Sequence, residues 1–393
     1  MPKSLMLSRR NLLRTAAAGA FAASLPAVIR SASAAGPLKI GVFVSDSGPA
    51  ALFGPAQRAA AELGAATVNA AGGVLGRQVE IVYADGGAAP AEASKSAVRL
   101  LLSDKVELIF GAHDSAVRQG VENAVKGKVP YVYTPVFEGQ DCSENVYFLG
   151  ETPEQQLQKS LPKLVELAKG KTFYLIGDDY VWARTTNEQA KKFIAALGGT
   201  VVAEDYYPFG APNKFESSVT KIKSAKPAIV LETLVGGDNV NFNRTFADFN
   251  LSDDILRMSC LLEENTLAGI GKDASKNLYS SLGYFADIDT PENKAFIGAL
   301  TKKYGDKAPQ QCTISKGLYD AFVFSAAAAA KARSLDAKAF AAAAEGLSFD
   351  TPSGTMTVRH RHTDKNVFLA RCDGTKFTVV ETFKAVATQQ TCS

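Results

Sequence analysis

The chain has 393 residues, 46% of them hydrophobic and 21% charged, with a formal net charge of +3. Its first 34 residues hold five of the 43 basic residues and none of the 40 acidic ones, so the remainder carries −2. That balance gives no footing for a nucleic-acid partner, and no apolar run after residue 34 is long enough to span a bilayer.

The first predicted element is a leader. Ser8-Arg9-Arg10 is a twin-arginine run, 15–29 is uncharged and Ala-rich, and Ala32-Ser33-Ala34 offers small residues for a signal peptidase. The order predicts a twin-arginine signal peptide over 1–34, cleaved near Ala34, and export to the periplasm. The 359 residues that follow are long for one core and predict two domains.

Short apolar runs then alternate with helical patterns. Strands are predicted over 40–44, 79–83, 108–111 and 131–133, with helices over 55–68, 90–102 and 115–125. The series restarts: helices over 154–168, 183–197, 215–224 and 238–249, and strands over 173–177, 201–204, 228–232 and 256–260. Buried strands separated by helices predict parallel sheets covered on both faces. The fold class is α/β, with two doubly wound parallel-sheet lobes. Further helices are predicted over 290–304, 316–332 and 337–345. Antiparallel strands follow over 355–358, 366–371 and 376–382, with Asp373-Gly374 as a turn signal. Stretches 150–153, 287–291 and 350–354 carry Pro and are candidate crossings between lobes.

Cys142, Cys260, Cys312, Cys372 and Cys392 show no C-x-x-C spacing, which argues against a zinc ribbon. An oxidising compartment permits one or two disulfides. Cys372 and Cys392 are close enough in sequence to close the C-terminal segment, although spacing alone does not fix the pairing. There is no H-E-x-x-H, G-x-S-x-G or P-loop, so no enzyme, metal or cofactor is expected. His360 and His362 alternate with Arg359 and Arg361 and read as a solvated strand face.

What recurs is a small, polar loop after a predicted strand, where open parallel sheets bind ligands. The loops are Ser45-Asp46-Ser47-Gly48, Ala112-His113-Asp114-Ser115, 134–139, 177–182 and 235–238. Helix starts there favour a carboxylate or carbonyl oxygen, and acids favour an N–H group. Taken singly, Ser115 reads better as a helix cap, Asp46 and Asp238 as turn residues, and Tyr180 and Trp182 as packing; the case for a site rests on all five loops lying at strand ends.

Several stretches resemble a known family. Asn69-Ala70-Ala71-Gly72-Gly73-Val74-Leu75-Gly76-Arg77 is similar to a segment of the periplasmic branched-chain amino acid, urea and short-chain amide binding proteins. So are 133–139 with Asp141-Cys142-Ser143-Glu144-Asn145, then 177–184, 287–293 and 349–351, and the likeness spans about 37–385. The resemblance implies a type I periplasmic binding protein fold of two lobes joined by three crossover segments. It divides the chain into 35–151 with 289–351, and 152–288 with 352–393. It also implies a solute cleft at Ser115, Tyr133, Pro135, Tyr180, Trp182 and Asp238, with Glu263 or Glu264 near an acidic position. Asp46-Ser47 resembles the generic amino-acid binders, while His113-Asp114 and Pro135 depart from the urea binders.

The expected function is that of the periplasmic solute-binding component of an ABC importer. It would capture a small polar solute (amide, urea-like compound or amino acid) and deliver it, as a monomer, to an inner-membrane permease. The alternative is the ligand-sensing domain of a sensor with the same fold.

Overall fold

The computed structural model describes residues 36–390; the leader expected over 1–34 lies outside them. The first lobe runs β1 (Leu38–Val44), α1 (Gly54–Ala70), β2 (Val79–Asp85), α2 (Pro90–Leu102), β3 (Leu108–Gly111), α3 (Ser115–Val125), β4 (Tyr131–Tyr133) and β5 (Val146–Phe148). Its strands pair in parallel in the order β2-β1-β3-β4-β5. Strand alternation explains the two covered faces. Leu38, Ile40, Val42 and Val44 pack with Ala61, Ala65 and Val68 of α1. Phe43 points the other way, toward Ala93, Ala97 and Leu100 of α2 and Val117 and Val121 of α3. Gly41 lets α2 approach, since a Cβ there would lie 2.9 Å from Leu100 Cδ1. The helices start where the sequence supplies the chemistry. α1 and α2 carry Pro in the first turn, and the Asp114 carboxylate caps α3.

The second lobe begins with α4 (Pro153–Ala168), β6 (Thr172–Asp178), α5 (Val181–Ala196), β7 (Thr200–Tyr207), α6 (Glu216–Ala225) and β8 (Ile229–Thr233). It continues with α7 (Gly237–Asp248), β9 (Leu256–Ser259), α8 (Glu264–Ile270) and β10 (Leu278–Leu282). Here β7-β6-β8-β9-β10 pair in parallel. Next come α9 (Pro291–Tyr304), α10 (Thr313–Ala332), α11 (Ala337–Ala344), β11 (Ser348–Thr351), β12 (Gly354–Arg359), β13 (His362–Asp373) and β14 (Lys376–Val386). α10 returns to the first lobe, where Leu318, Phe322 and Ala329 join the α1 core.

The third crossing differs from expectation. Stretch 350–354 is the tight turn joining β11 to β12, and Met356 and Val358 of β12 pack with Leu38 and Val42. Residues 354–359 therefore sit with the first lobe, past the boundary read at 351. The passage lies inside β13, which pairs β12 through Asp364 and β10 from Phe368 onward. The segments that pass between the lobes are tied together. The Glu151 carboxylate accepts from Gly283 N–H, and the Lys365 ammonium donates to the Leu149 carbonyl. Burial lowers Lys365 to about 8.

Two smaller expectations are also corrected. Cys142 is disulfide-bonded, whereas Cys260, Cys312 and Cys372 are free and buried, so Cys372 is not paired with Cys392. Cys392 lies outside the described residues. His360 and Arg361 form a turn at φ 50 and 65°, which breaks the expected alternation. His362 is buried and stacks on Phe148 at 4.7 Å, because β13 enters the first-lobe core there.

Candidate ligand-binding site

The carboxyl ends of the two parallel sheets face one another, as ligand-binding α/β sheets require. Ser45 follows β1, Ala112 to Ser115 follow β3, and Pro135 and Val136 follow β4. From the other lobe come Tyr180 after β6, Phe209 after β7, Val235 after β8 and Leu261 after β9. With Ala50, Phe53, Tyr133 and Ile314 they line a cavity between the two sheet ends.

The cavity walls are mostly apolar. Tyr180 stacks on Phe209 with ring centroids 4.7 Å apart and planes at 16°. The polar groups are held from behind. Ser115 Oγ donates to Glu138 Oε2 at 2.7 Å, and Glu138 pairs with Arg118 at 2.5 Å. Tyr133 donates its hydroxyl to the His113 carbonyl at 2.7 Å. His113 Nδ1 lies 3.1 Å from the Asp114 carbonyl, an acceptor, which assigns the proton to Nδ1. Nε2 then accepts from Tyr131 Oη at 2.9 Å. Burial lowers His113 to about 4, so the ring is neutral at pH 7. Ser45 Oγ donates to the Ala112 carbonyl at 3.3 Å. Asp114 is the acidic residue in the lining, and its Oδ1 accepts from Ala116 and Val117 N–H at 2.8 and 2.9 Å.

Helix starts reach the cavity from both lobes. Asp114 and Ser115 open α3, Tyr180 is the N-cap of α5, Val235 precedes the N-cap of α7, and Ile314 lies in the first turn of α10. Each contributes roughly half a positive charge at its N-terminus, and no lysine or arginine lines the cavity. The lobes are in contact. A Cβ on Gly210 would meet Pro49 Cγ at 2.5 Å, and one on Gly236 would meet the Pro49 carbonyl at 2.9 Å. Gln189 Nε2 donates to the Glu138 carbonyl at 2.7 Å. The arrangement is closed.

His113, Ser115, Tyr133, Pro135 and Tyr180 thus come together in the lining. The other six expected site residues do not line it. Asp46 forms an ion pair with Arg58, and Ser47 donates to Asp85 Oδ2 at 2.6 Å. Trp182 sits beneath Tyr180 in the second-lobe core, 6.0 Å between centroids. Asp238 is buried beside Asp178 and accepts from Asn213 Nδ2 at 3.0 Å. Burial and that neighbouring carboxylate hold Asp178 well above the usual range. Glu263 caps α8 through Asn265 and Thr266 N–H, both at 2.7 Å. Glu264 accepts from Ala286 N–H at 2.6 Å, and burial raises it to about 8. Phe53, Phe209, Leu261 and Ile314 were not anticipated; their one signal was an apolar residue beside a strand-end loop or helix start. No group of His, Cys, Asp and Glu among the described residues could hold a metal ion.

Residues 37–376 match the profile of the periplasmic binding protein family. The chain belongs to that family. Its solved structural neighbours are solute-binding proteins of ABC transporters with the type I fold. This binding protein is 25% identical to Leu/Ile/Val-binding protein homolog 3 of Brucella melitensis, over 81% of this chain and 86% of the relative. It superposes with a TM-score of 0.80 on an R. palustris solute-binding protein in complex with 4-hydroxybenzoate. That pair is 24% identical, covering 89% and 98% of the two chains. An R. palustris solute-binding protein in complex with benzoate gives a TM-score of 0.77 at 24% identity, covering 90% and 98%. Family membership implies a periplasmic location, a small-molecule ligand and a permease partner for the binding protein.

Proposed function

We propose that this binding protein captures a small aromatic carboxylate of the benzoate type between its lobes and delivers it to an ABC permease. The observation that carries the reading is the cavity between the touching lobes, with apolar and aromatic walls from both and helix starts around it. Stacked rings suit a flat apolar body. Helix N-termini suit an anion where no basic side chain is present. The structural likeness to proteins crystallised with benzoate and 4-hydroxybenzoate supports the same class. A branched-chain amino acid is the second reading, favoured by the names of the sequence relatives. Asp114 in the lining caps its own helix through Oδ1, and its second oxygen remains for the ammonium group such a ligand would bring. The leader over 1–34 is proposed to be removed on export.

A thermal-shift screen tests this. At a hundredfold excess over Kd a ligand adds about 2.7 kcal/mol to stability, so benzoates should raise the melting temperature more than branched-chain amino acids, ureas or short amides. A rise with ureas or amides and none with benzoates would refute the aromatic reading. Tyr180→Ala, which removes one stacked wall, should weaken benzoate binding roughly tenfold or more.

A further inference from the structure

The hydroxyl groups on the first-lobe wall have their protons committed inside the protein. Ser115 Oγ donates to Glu138, a carboxylate held in an ion pair by Arg118 and able only to accept. Tyr133 donates to the His113 carbonyl, again an acceptor only. Ser45 donates to the Ala112 carbonyl. His113 has no donor left either, with Nδ1 directed at the Asp114 carbonyl and Nε2 receiving the Tyr131 proton. These side chains therefore offer a ligand lone pairs and no protons. Tyr180, on the opposite lobe, is the other hydroxyl in the lining.

We propose that Ser115 and Tyr133 select a ring hydroxyl on the ligand, which donates to their oxygens, so that this protein prefers hydroxylated aromatic acids to unsubstituted or ether-substituted ones. The inference rests on the aromatic-acid reading above. It assigns Ser115 a role opposite to that of a donor to the ligand carboxylate. It also makes Glu138 a positioning residue, since its charge dictates which way the Ser115 proton points. An acceptor on the ligand at this position, such as a methoxy oxygen, would face another acceptor on buried side chains. A buried acceptor left unpaired is costly on the scale of tenfold in affinity.

Titration calorimetry on the purified protein with benzoate, 3- and 4-hydroxybenzoate and their methoxy counterparts tests this. The tighter hydroxybenzoate should bind at least tenfold better than benzoate and better still than its methoxy partner. In Ser115→Ala the ratio of hydroxybenzoate to benzoate affinity should fall toward one. In Glu138→Gln, whose amide can donate to Ser115 and free the serine proton, the penalty on the methoxy compound should shrink. Equal affinities across the series in the parent protein would overturn the inference while leaving aromatic capture intact. Failure to bind any of these acids would overturn both.

Discussion

His113 and His362 are the buried imidazoles, and each is held near 4 chiefly by desolvation. The unfolded chain titrates them at the ordinary 6.5, so it takes up protons first as the pH falls. Their contribution is complete above pH 6.5 and is lost between 6.5 and 4, by up to about 3 kcal/mol each. Glu264, raised to about 8, acts in the opposite sense, losing stability as the pH rises from 4.5 toward 8. The overall pH profile mixes the two, and a difference measurement separates them. His362→Phe keeps the stack on Phe148 and removes the proton site. Urea unfolding of this variant should show a smaller drop between pH 6.5 and 4.5 than the parent; parallel curves would disprove the assignment. The same residue scale shows what the sequence made legible at the site. His113, Ser115, Tyr133 and Tyr180 stand out as polar or aromatic groups around loops that follow strands. Phe209 and Ile314 do not, because an apolar side chain there reads as core until the opposite lobe is in place. Asp46 and Glu263 mislead for the converse reason: their carboxylates satisfy a neighbouring arginine and a helix start.

Among the elements, the parallel strands of both lobes were legible because a strand buried on both faces must be apolar throughout, as 40–44 and 173–177 are. β5 was not, being three residues long, nor was β10, whose Ser280 and Ser281 are polar. Both are buried with their hydroxyls satisfied, Ser280 by the Leu262 carbonyl at 2.6 Å and Ser281 by Ser160 at 2.8 Å. The third crossing was misread because Pro352 and Gly354 signal a turn, and a turn fits a hairpin as well as a crossing. The true passage is concealed inside an unbroken strand. Closure also belongs to this scale. The Gln189 bond from α5 to the Glu138 carbonyl joins the lobes, and a typical hydrogen bond contributes about 0.5–1.5 kcal/mol. Gln189→Leu should therefore weaken ligand binding about two- to tenfold while leaving the melting temperature of the ligand-free protein nearly unchanged. Undiminished affinity, measured by calorimetry, would remove this contact from the closing mechanism.

For the whole molecule, ligand can favour the closed arrangement only through contacts that the open one lacks. The cavity supplies them, since Tyr180 and Phe209 lie on one side and Ser115 and Tyr133 on the other. The passages between the lobes are bound to each other by Glu151 and Lys365, so opening is expected as a rotation of packed lobes about that junction. The most direct measurement is a crystal structure of the protein grown with the tightest-binding aromatic acid. The expected result is the acid between the lobes, its ring against Tyr180 and Phe209 and a ring hydroxyl within hydrogen-bond distance of Ser115 or Tyr133. An acid bound elsewhere, with the inter-lobe cavity unoccupied, would contradict capture at this site.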